Sequence, residues 1–92
     1  MPTKKFNLGD VAATPGAMAA MEAAGVRPIS LILRHVTGDW GTVCAADAQE
    51  NEFALVNGLR ILSVYEISND KKVWVITEAD RSVTTILLPS EY

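Results

Sequence analysis

The sequence predicts an α+β domain in which two or three N-terminal helices pack on an antiparallel three-stranded meander. Residues 60–89 are dense in the β-branched and aromatic types that favour strands, and two short polar turns divide them into three segments. Upstream, residues 14–57 carry the start and stop signals of helices instead. Because short turns join neighbouring strands, the three strands should be antiparallel, with the helices covering one face.

The chain begins with residues 1–5, which are polar and predicted to be frayed. Residues 6–13 form a candidate edge strand that could pair with the later sheet. The first helix should then start at Pro15, because the Thr14 hydroxyl can cap it and proline needs no N–H donor at the first helical position. Gly25 should end it, since glycine readily adopts the left-handed cap conformation.

Two further helices are predicted before the sheet. Ser30 is placed to cap a short helix that carries residues 31–36. Asp47, with Glu50 three residues later, matches a capping box and predicts a third helix that ends near Asn57.

Between these two helices, the glycine-rich run 38–41 predicts a tight turn with Trp40 at its tip. One interpretation is that Trp40 folds back over the small core, since an indole buries a large area. The other is that it lines a binding site. Trp74, flanked by Val73 and Val75 in the middle strand, is predicted to be the more structural of the two tryptophans.

The predicted strands span residues 60–67, 72–78 and 82–88. Asn and Asp at the turn 68–71 suit the positive φ of hairpin turns, and the second turn falls at 79–81. The third strand is apolar on both faces from Ile86 to Leu88, which predicts a central or doubly covered stretch.

Length and composition limit the class of protein. At 92 residues, the chain predicts one domain spanning residues 1–92, with a modest core. Apolar residues make up 49% and no run is long enough to span a membrane, which predicts a soluble, cytoplasmic protein. The net charge of −3 argues against tight non-specific nucleic-acid binding. One cysteine and one histidine predict no disulfide, no metal site and no cofactor.

Few residues carry chemistry. The sequence has no phosphate-binding glycine loop, no HExxH and no GxSxG motif. His35 can act as a general acid or base, because imidazole titrates near neutrality. The alternative is a surface or capping histidine near a helix C-terminus, where the helix dipole favours a cation. Cys44 lacks a histidine or lysine partner in sequence and is predicted to be an inert, small apolar residue.

Three runs, at 11–17, 34–41 and 74–89, resemble a family of small bacterial proteins met on plasmids, phages and integrative elements and labelled plasmid-related protein. The resemblance covers nearly the whole chain. That family has no established activity, so the resemblance implies relatives and a mobile-element context rather than a reaction.

The layout of helices followed by an antiparallel meander is also similar to the barnase and RelE-like group of metal-independent ribonucleases. In such sites a histidine transfers a proton, while arginine and hydroxyl groups hold the scissile phosphate. This resemblance implies a candidate catalytic set of His35, Arg81, Ser82 and Thr84.

Two functions therefore remain open. The first is a protein-interaction module of a mobile genetic element, which binds a host or element-encoded protein. Its candidate binding residues are Arg34, Asp39, Trp40, Lys71 and Lys72. The second is a ribonuclease that acts on RNA. The first is favoured, because the acidic net charge weakens attraction to RNA.

Overall fold

The computed structural model describes residues 3–92 and confirms the α+β class. Three helices and four strands follow one another along the chain. The helices are α1 (Pro15–Ala24), α2 (Pro28–Val36) and α3 (Ala45–Asn57). The strands are β1 (Asp10–Ala13), β2 (Ile61–Ser68), β3 (Lys71–Thr77) and β4 (Val83–Leu87). A 3₁₀ turn at Pro89–Glu91 follows β4.

The sheet is mixed and four-stranded, in the order β1-β4-β3-β2. Strands β2, β3 and β4 form the predicted antiparallel meander. The candidate edge strand within residues 6–13 forms over Asp10–Ala13 as β1. The sheet therefore has four strands rather than three, and β1 runs parallel to β4, with Asp10 opposite Val83 and Ala13 opposite Ile86. This parallel pairing satisfies the second edge of β4 and places β4 inside the sheet, as its apolar sequence predicted.

The first helix has the predicted termini. The Thr14 hydroxyl accepts a hydrogen bond from the Ala17 N–H at 3.1 Å, and Gly25 ends α1 with φ of 70°. The same hydroxyl donates to Glu91 Oε1 at 2.6 Å, so it also ties the helix start to the C-terminal turn.

The starts of α2 and α3 differ from the prediction. Helix α2 begins at Pro28, and Ser30 lies inside its first turn, where its hydroxyl donates to the Arg27 carbonyl at 2.6 Å. Proline at the first helical position has the right φ already and displaces the start upstream of the predicted serine cap. Helix α3 begins after Cys44 without a side-chain cap, so Asp47 lies within its first turn and the predicted capping box is wrong.

All three helices pack on one face of the sheet. Residues of α1 and α2 pack against β2, β3 and β4 in the main core, which comprises Ala17, Met21, Leu31, Ile32, Tyr65, Ile67, Val73, Val75 and Ile86. A smaller cluster beside α3 comprises Phe6, Trp40, Ala54 and Ile61. Because Ile61 and Tyr65 lie at alternate positions of β2, both clusters are on the same side of the sheet.

No single helix among residues 3–92 is long and apolar enough to cross a membrane; α1 and α2 meet the length and composition requirement only together, and they are bent by 104° at the break between them.

Replacing Thr14 with alanine is expected to lower the free energy of unfolding by about 1 kcal/mol, because the first turn of α1 loses its side-chain cap. Urea denaturation of both proteins measures the change. Ser90→Ala removes an exposed hydroxyl in the C-terminal turn and should shift stability by less than about 0.5 kcal/mol. Equal stability of Thr14→Ala and the wild type would show that the cap contributes nothing.

Candidate interaction surface

His35 lies in the interior of the molecule, with 0% of its surface exposed. Its Nδ1 is 2.6 Å from the Ser63 hydroxyl on β2, and its Nε2 is 2.9 Å from the Thr77 hydroxyl on β3. The chain of hydrogen bonds continues from Thr77 to the Thr84 hydroxyl at 2.7 Å. Thr84 then donates to the Leu8 carbonyl, also at 2.7 Å.

The direction of these hydrogen bonds places a proton on Nε2 of the ring. A carbonyl oxygen can only accept, so Thr84 donates to Leu8 and must accept from Thr77. Thr77 in turn accepts from Nε2–H of His35, and in the neutral ring Nδ1 then accepts from Ser63. Burial lowers the pKa of His35 to about 4, so the imidazole is neutral at physiological pH. His35 is therefore neither a surface residue nor a helix cap.

Two of the other candidate catalytic residues, Arg81 and Ser82, do not share a site with His35. Within residues 3–92, the hydrogen bonds of the Arg81 guanidinium all go to main-chain carbonyls, those of Ala54, Leu59, Glu78 and Ala79. It thereby ties the end of α3 to the β3–β4 turn. Ser82 is exposed, and its N–H donates to the carboxylate of Asp80 at 3.0 Å. The structure joins His35 and Thr84 through Thr77, but no hydrogen bond joins either of them to Arg81 or Ser82.

Arg34 and Asp39 form an exposed ion pair, with Nε 2.7 Å from Oδ2. The hydrogen bond from Arg34 lowers the pKa of the Asp39 carboxyl. The Arg34 guanidinium also lies 4.5 Å from the centre of the Tyr65 ring, and the Tyr65 hydroxyl donates to the Asp39 carbonyl at 2.6 Å. These contacts hold the segment between α2 and Gly41 against β2.

Trp40 is 7% exposed and packs beside Phe6, so it covers the core as the first interpretation predicted. Its Nε1–H donates to Glu52 on α3 at 2.9 Å. Trp74 is less buried than Trp40, which reverses the prediction that Trp74 is the more structural tryptophan. The reason is that Trp74 points away from the helices, because its neighbours Val73 and Val75 occupy the core side.

Lys71 and Lys72 are exposed at the tip of the β2–β3 hairpin. They line a surface groove of about 420 Å³ together with Asp70, Leu88, Pro89 and Ser90. Neither Arg34 nor Asp39 lines this groove.

The sheet face opposite the helices is covered by none of them and is nevertheless apolar. Its side chains are Leu62, Val64, Trp74, Ile76, Val83, Thr85 and Leu87, and we call this set the open sheet face. Ile76 and Leu87 are buried by their neighbours, and the other five are partly exposed. Antiparallel strands with one solvated face normally alternate apolar and polar residues. Here most of these positions are apolar, and the charged pair Glu66 and Lys72 lies only at one end.

The C-terminal residue packs on part of this face. The Tyr92 ring lies 5.3 Å from the Trp74 ring, and Arg60 donates to the Tyr92 hydroxyl. Tyr92 itself remains largely exposed. The Tyr92 ring is therefore a direct neighbour of Trp74 on this face.

The outer edge of β2 is closed to additional strands. The Asn51 side chain donates to the Leu62 carbonyl at 2.6 Å and accepts from the Leu62 N–H at 3.1 Å. Two residues further along β2, the Val64 N–H donates to the Trp40 carbonyl, and the Val64 carbonyl accepts from the Thr42 N–H. Because these groups satisfy the edge, a partner on this side of the molecule would meet the face of the sheet rather than its edge.

Sequence reasoning missed the open sheet face, although the signal was present. Strand β3 is apolar at consecutive positions from Val73 to Ile76, and β2 begins with Ile61-Leu62. Such runs are typical of strands covered on both faces. The predicted architecture has helices on one face of the sheet and no cover on the other.

Among residues 3–92, no three His, Cys, Asp or Glu side chains are grouped in a way that could hold a metal ion. A scan against protein-family models, a search of curated proteins and a search of solved structures each found no match. The resemblance to plasmid-related proteins and the similarity of layout to ribonucleases accordingly stay predictions.

Proposed function

We propose that this protein is an interaction module that binds a protein partner through the open sheet face. The observation that carries the proposal is an apolar sheet surface on the side that no helix covers. Partly exposed apolar side chains that lie next to one another favour association, because burying them removes apolar area from water. Trp74 supplies the kind of aromatic side chain that often dominates binding energy.

The surroundings of this face suit a protein interface. Glu66 and Lys72 are opposite each other across β2 and β3 at one end, next to the lysine-lined groove. An apolar centre with a mixed polar rim is the usual arrangement of protein–protein contacts. The partner we propose is a host protein or one encoded by the same mobile element, in keeping with the resemblance of the sequence to plasmid-related proteins.

The ribonuclease alternative is less well supported by the geometry. A general acid must come within hydrogen-bond reach of its substrate, and His35 is fully buried with both ring nitrogens already paired. The guanidinium of Arg81, which would hold the phosphate, is occupied by main-chain carbonyls.

Site-specific photo-crosslinking in producing cells tests the proposed surface. A photoreactive residue at Val64 is expected to form a discrete crosslink to one protein, identified by mass spectrometry. The matched control is Val11, which is exposed on β1 at the sheet position beside Thr84, on the helix side. The same crosslinked proteins from both positions would reject the open sheet face as the binding surface.

Trp74→Ala is expected to weaken capture of that crosslinked partner about tenfold or more, because an aromatic side chain at the centre of an interface carries much of its affinity. The expected loss of folding stability is smaller, about 2 kcal/mol, since the ring is only partly buried. Pull-down with the purified variant and its thermal unfolding measure the two effects. Undiminished capture by a folded Trp74→Ala protein would contradict the proposal.

A further inference from the structure

The outward surface of α3 carries a second exposed apolar patch, on the helix side of the sheet. Phe53 and Val56 are 56% and 84% exposed, and Leu59, just beyond the end of the helix, is 45% exposed. Positions three apart in a helix are surface neighbours, so Phe53 and Val56 adjoin. The opposite side of the helix is buried through Asn51 and Ala54. We call Phe53, Val56 and Leu59 the α3 patch.

Carboxylates border this patch on two sides. On the helix, Glu50 is three residues before Phe53, and Glu52 is four residues before Val56, which places each beside the patch. Asp47 adds a third acid in the first turn of α3.

The β3–β4 turn, which carries two further acids, is fastened to the end of α3. The Arg81 guanidinium donates to the Ala54 and Leu59 carbonyls at the end of α3 and also to the Glu78 carbonyl in the turn. These hydrogen bonds place the backbone of the turn, which carries the exposed residues Glu78 and Asp80, next to the end of α3.

The two arginines of this region are engaged within the protein. Arg81 is held by four main-chain carbonyls, and Arg60 donates to the Tyr92 hydroxyl while lying 5.3 Å from the Tyr92 ring centre. The α3 patch is therefore an apolar surface bordered by an excess of negative charge.

We propose that the α3 patch docks an amphipathic segment of a partner protein that presents apolar side chains flanked by lysine or arginine. The apolar side chains would cover Phe53 and Val56, while the cations would meet the surrounding carboxylates. A second copy of this chain fits less well, because a symmetric contact would bring the same carboxylates face to face. A nucleic acid is repelled by the same charges.

This inference does not depend on the open sheet face. The α3 patch lies on a helix that packs against the other side of the sheet, so either surface can be occupied while the other is free. The two proposals can fail separately, because the variants that test them lie on different surfaces.

The test uses the full chain and two labelled synthetic helices of about 18 residues. Both carry leucine along one face; the other face carries lysine in one peptide and glutamate in its match. Fluorescence anisotropy is expected to show at least about tenfold tighter binding of the lysine peptide. Raising the salt from about 50 to about 500 mM should weaken that binding, because exposed charges are screened.

Val56→Ser and Glu50→Lys are expected each to weaken binding of the lysine peptide about tenfold, since they remove an apolar contact and reverse a bordering charge. Both side chains are exposed, so the fold should be retained. The matched controls are Leu33→Ser on α2 and Glu22→Lys on α1, which change an exposed apolar residue and an exposed acid elsewhere. Neither control should change the affinity by more than about twofold.

Three outcomes would overturn the proposal. The first is no binding of the lysine peptide at millimolar concentration, and the second is equal binding of the two peptides. The third is equal weakening by the α3 variants and by their controls, which would show diffuse charge attraction. Sedimentation of the free protein adds a further check, because dimerisation that Val56→Ser abolishes would assign the patch to a second copy.

Discussion

Replacing His35 with alanine is expected to lower the free energy of unfolding by about 4 kcal/mol. The substitution leaves a cavity at a fully buried position, and it removes the hydrogen-bond partner of the Ser63 and Thr77 hydroxyls. Cavity formation and unpaired buried polar groups each cost about 1–3 kcal/mol or more. For a domain of this size, such a loss approaches the whole stability.

Chemical denaturation at neutral pH measures this loss. Arg34→Ala changes the neighbouring residue, whose side chain is about half exposed, and should cost less than about 1 kcal/mol. If His35→Ala were as stable as the wild type, the buried network would contribute nothing, and a functional role for the imidazole would need to be reconsidered.

The same wild-type preparation, incubated with mixed RNA without metal, is expected to show no cleavage above a mock purification. Cleavage that is lost in a still-folded His35 variant would favour the ribonuclease.

Much of the fold could be predicted because its signals are local. Thr14 and Gly25 bound α1 through contacts within one helical turn. Asn69-Asp70 makes the first hairpin turn, and Asp70 has the positive φ, 62°, that such a turn requires. The ends of this helix and the conformation of this turn depend on residues only a few positions away, so they can be predicted from the sequence.

The elements that were missed depend on competition or on distant partners. Ser30 and Asp47 both have the chemistry of a cap, but the helices start upstream of them, at Pro28 and Ala45. Local propensity cannot decide between two adjacent starts that differ little in free energy. The parallel pairing of β1 with β4 joins segments more than 70 residues apart, so no short-range pattern specifies its direction.

The role of His35 was only partly visible in the sequence. Leu31, Ile32 and Val36 are buried on α2, and His35 lies four residues after Leu31 and three after Ile32, which puts it on the same apolar face. That spacing could have predicted burial. The hydroxyl partners could not have been predicted, since Ser63 and Thr77 are 28 and 42 residues away and only the sheet register places them beside the ring.

The protein is expected to lose about 3 kcal/mol of stability as the pH falls from about 6.5 to about 4, because His35 is buried in its neutral form. Burial lowers the pKa of His35 in the folded state from 6.5 to about 4. Between these values the unfolded chain binds a proton that the folded protein does not. Protons therefore favour unfolding, and the stabilisation present above pH 6.5 declines on acidification until the folded protein also binds the proton.

Urea denaturation at a series of pH values measures this slope, which should approach about 1.4 kcal/mol per pH unit in the middle of the window. The carboxyls of Asp39, Asp80 and Glu91 act in a lower window, since hydrogen bonds lower their pKa values and their stabilisation is lost as the pH falls from the ordinary carboxyl values, 3.8 and 4.5, through the lowered ones. His35→Gln removes the titrating group while keeping a polar side chain, so its stability should be nearly independent of pH between about 6.5 and 5. An equal slope in His35→Gln and the wild type would assign the acid sensitivity to other groups. A flat wild-type profile would mean that the imidazole can be protonated inside the folded protein at little cost, contrary to its buried position between Ser63 and Thr77.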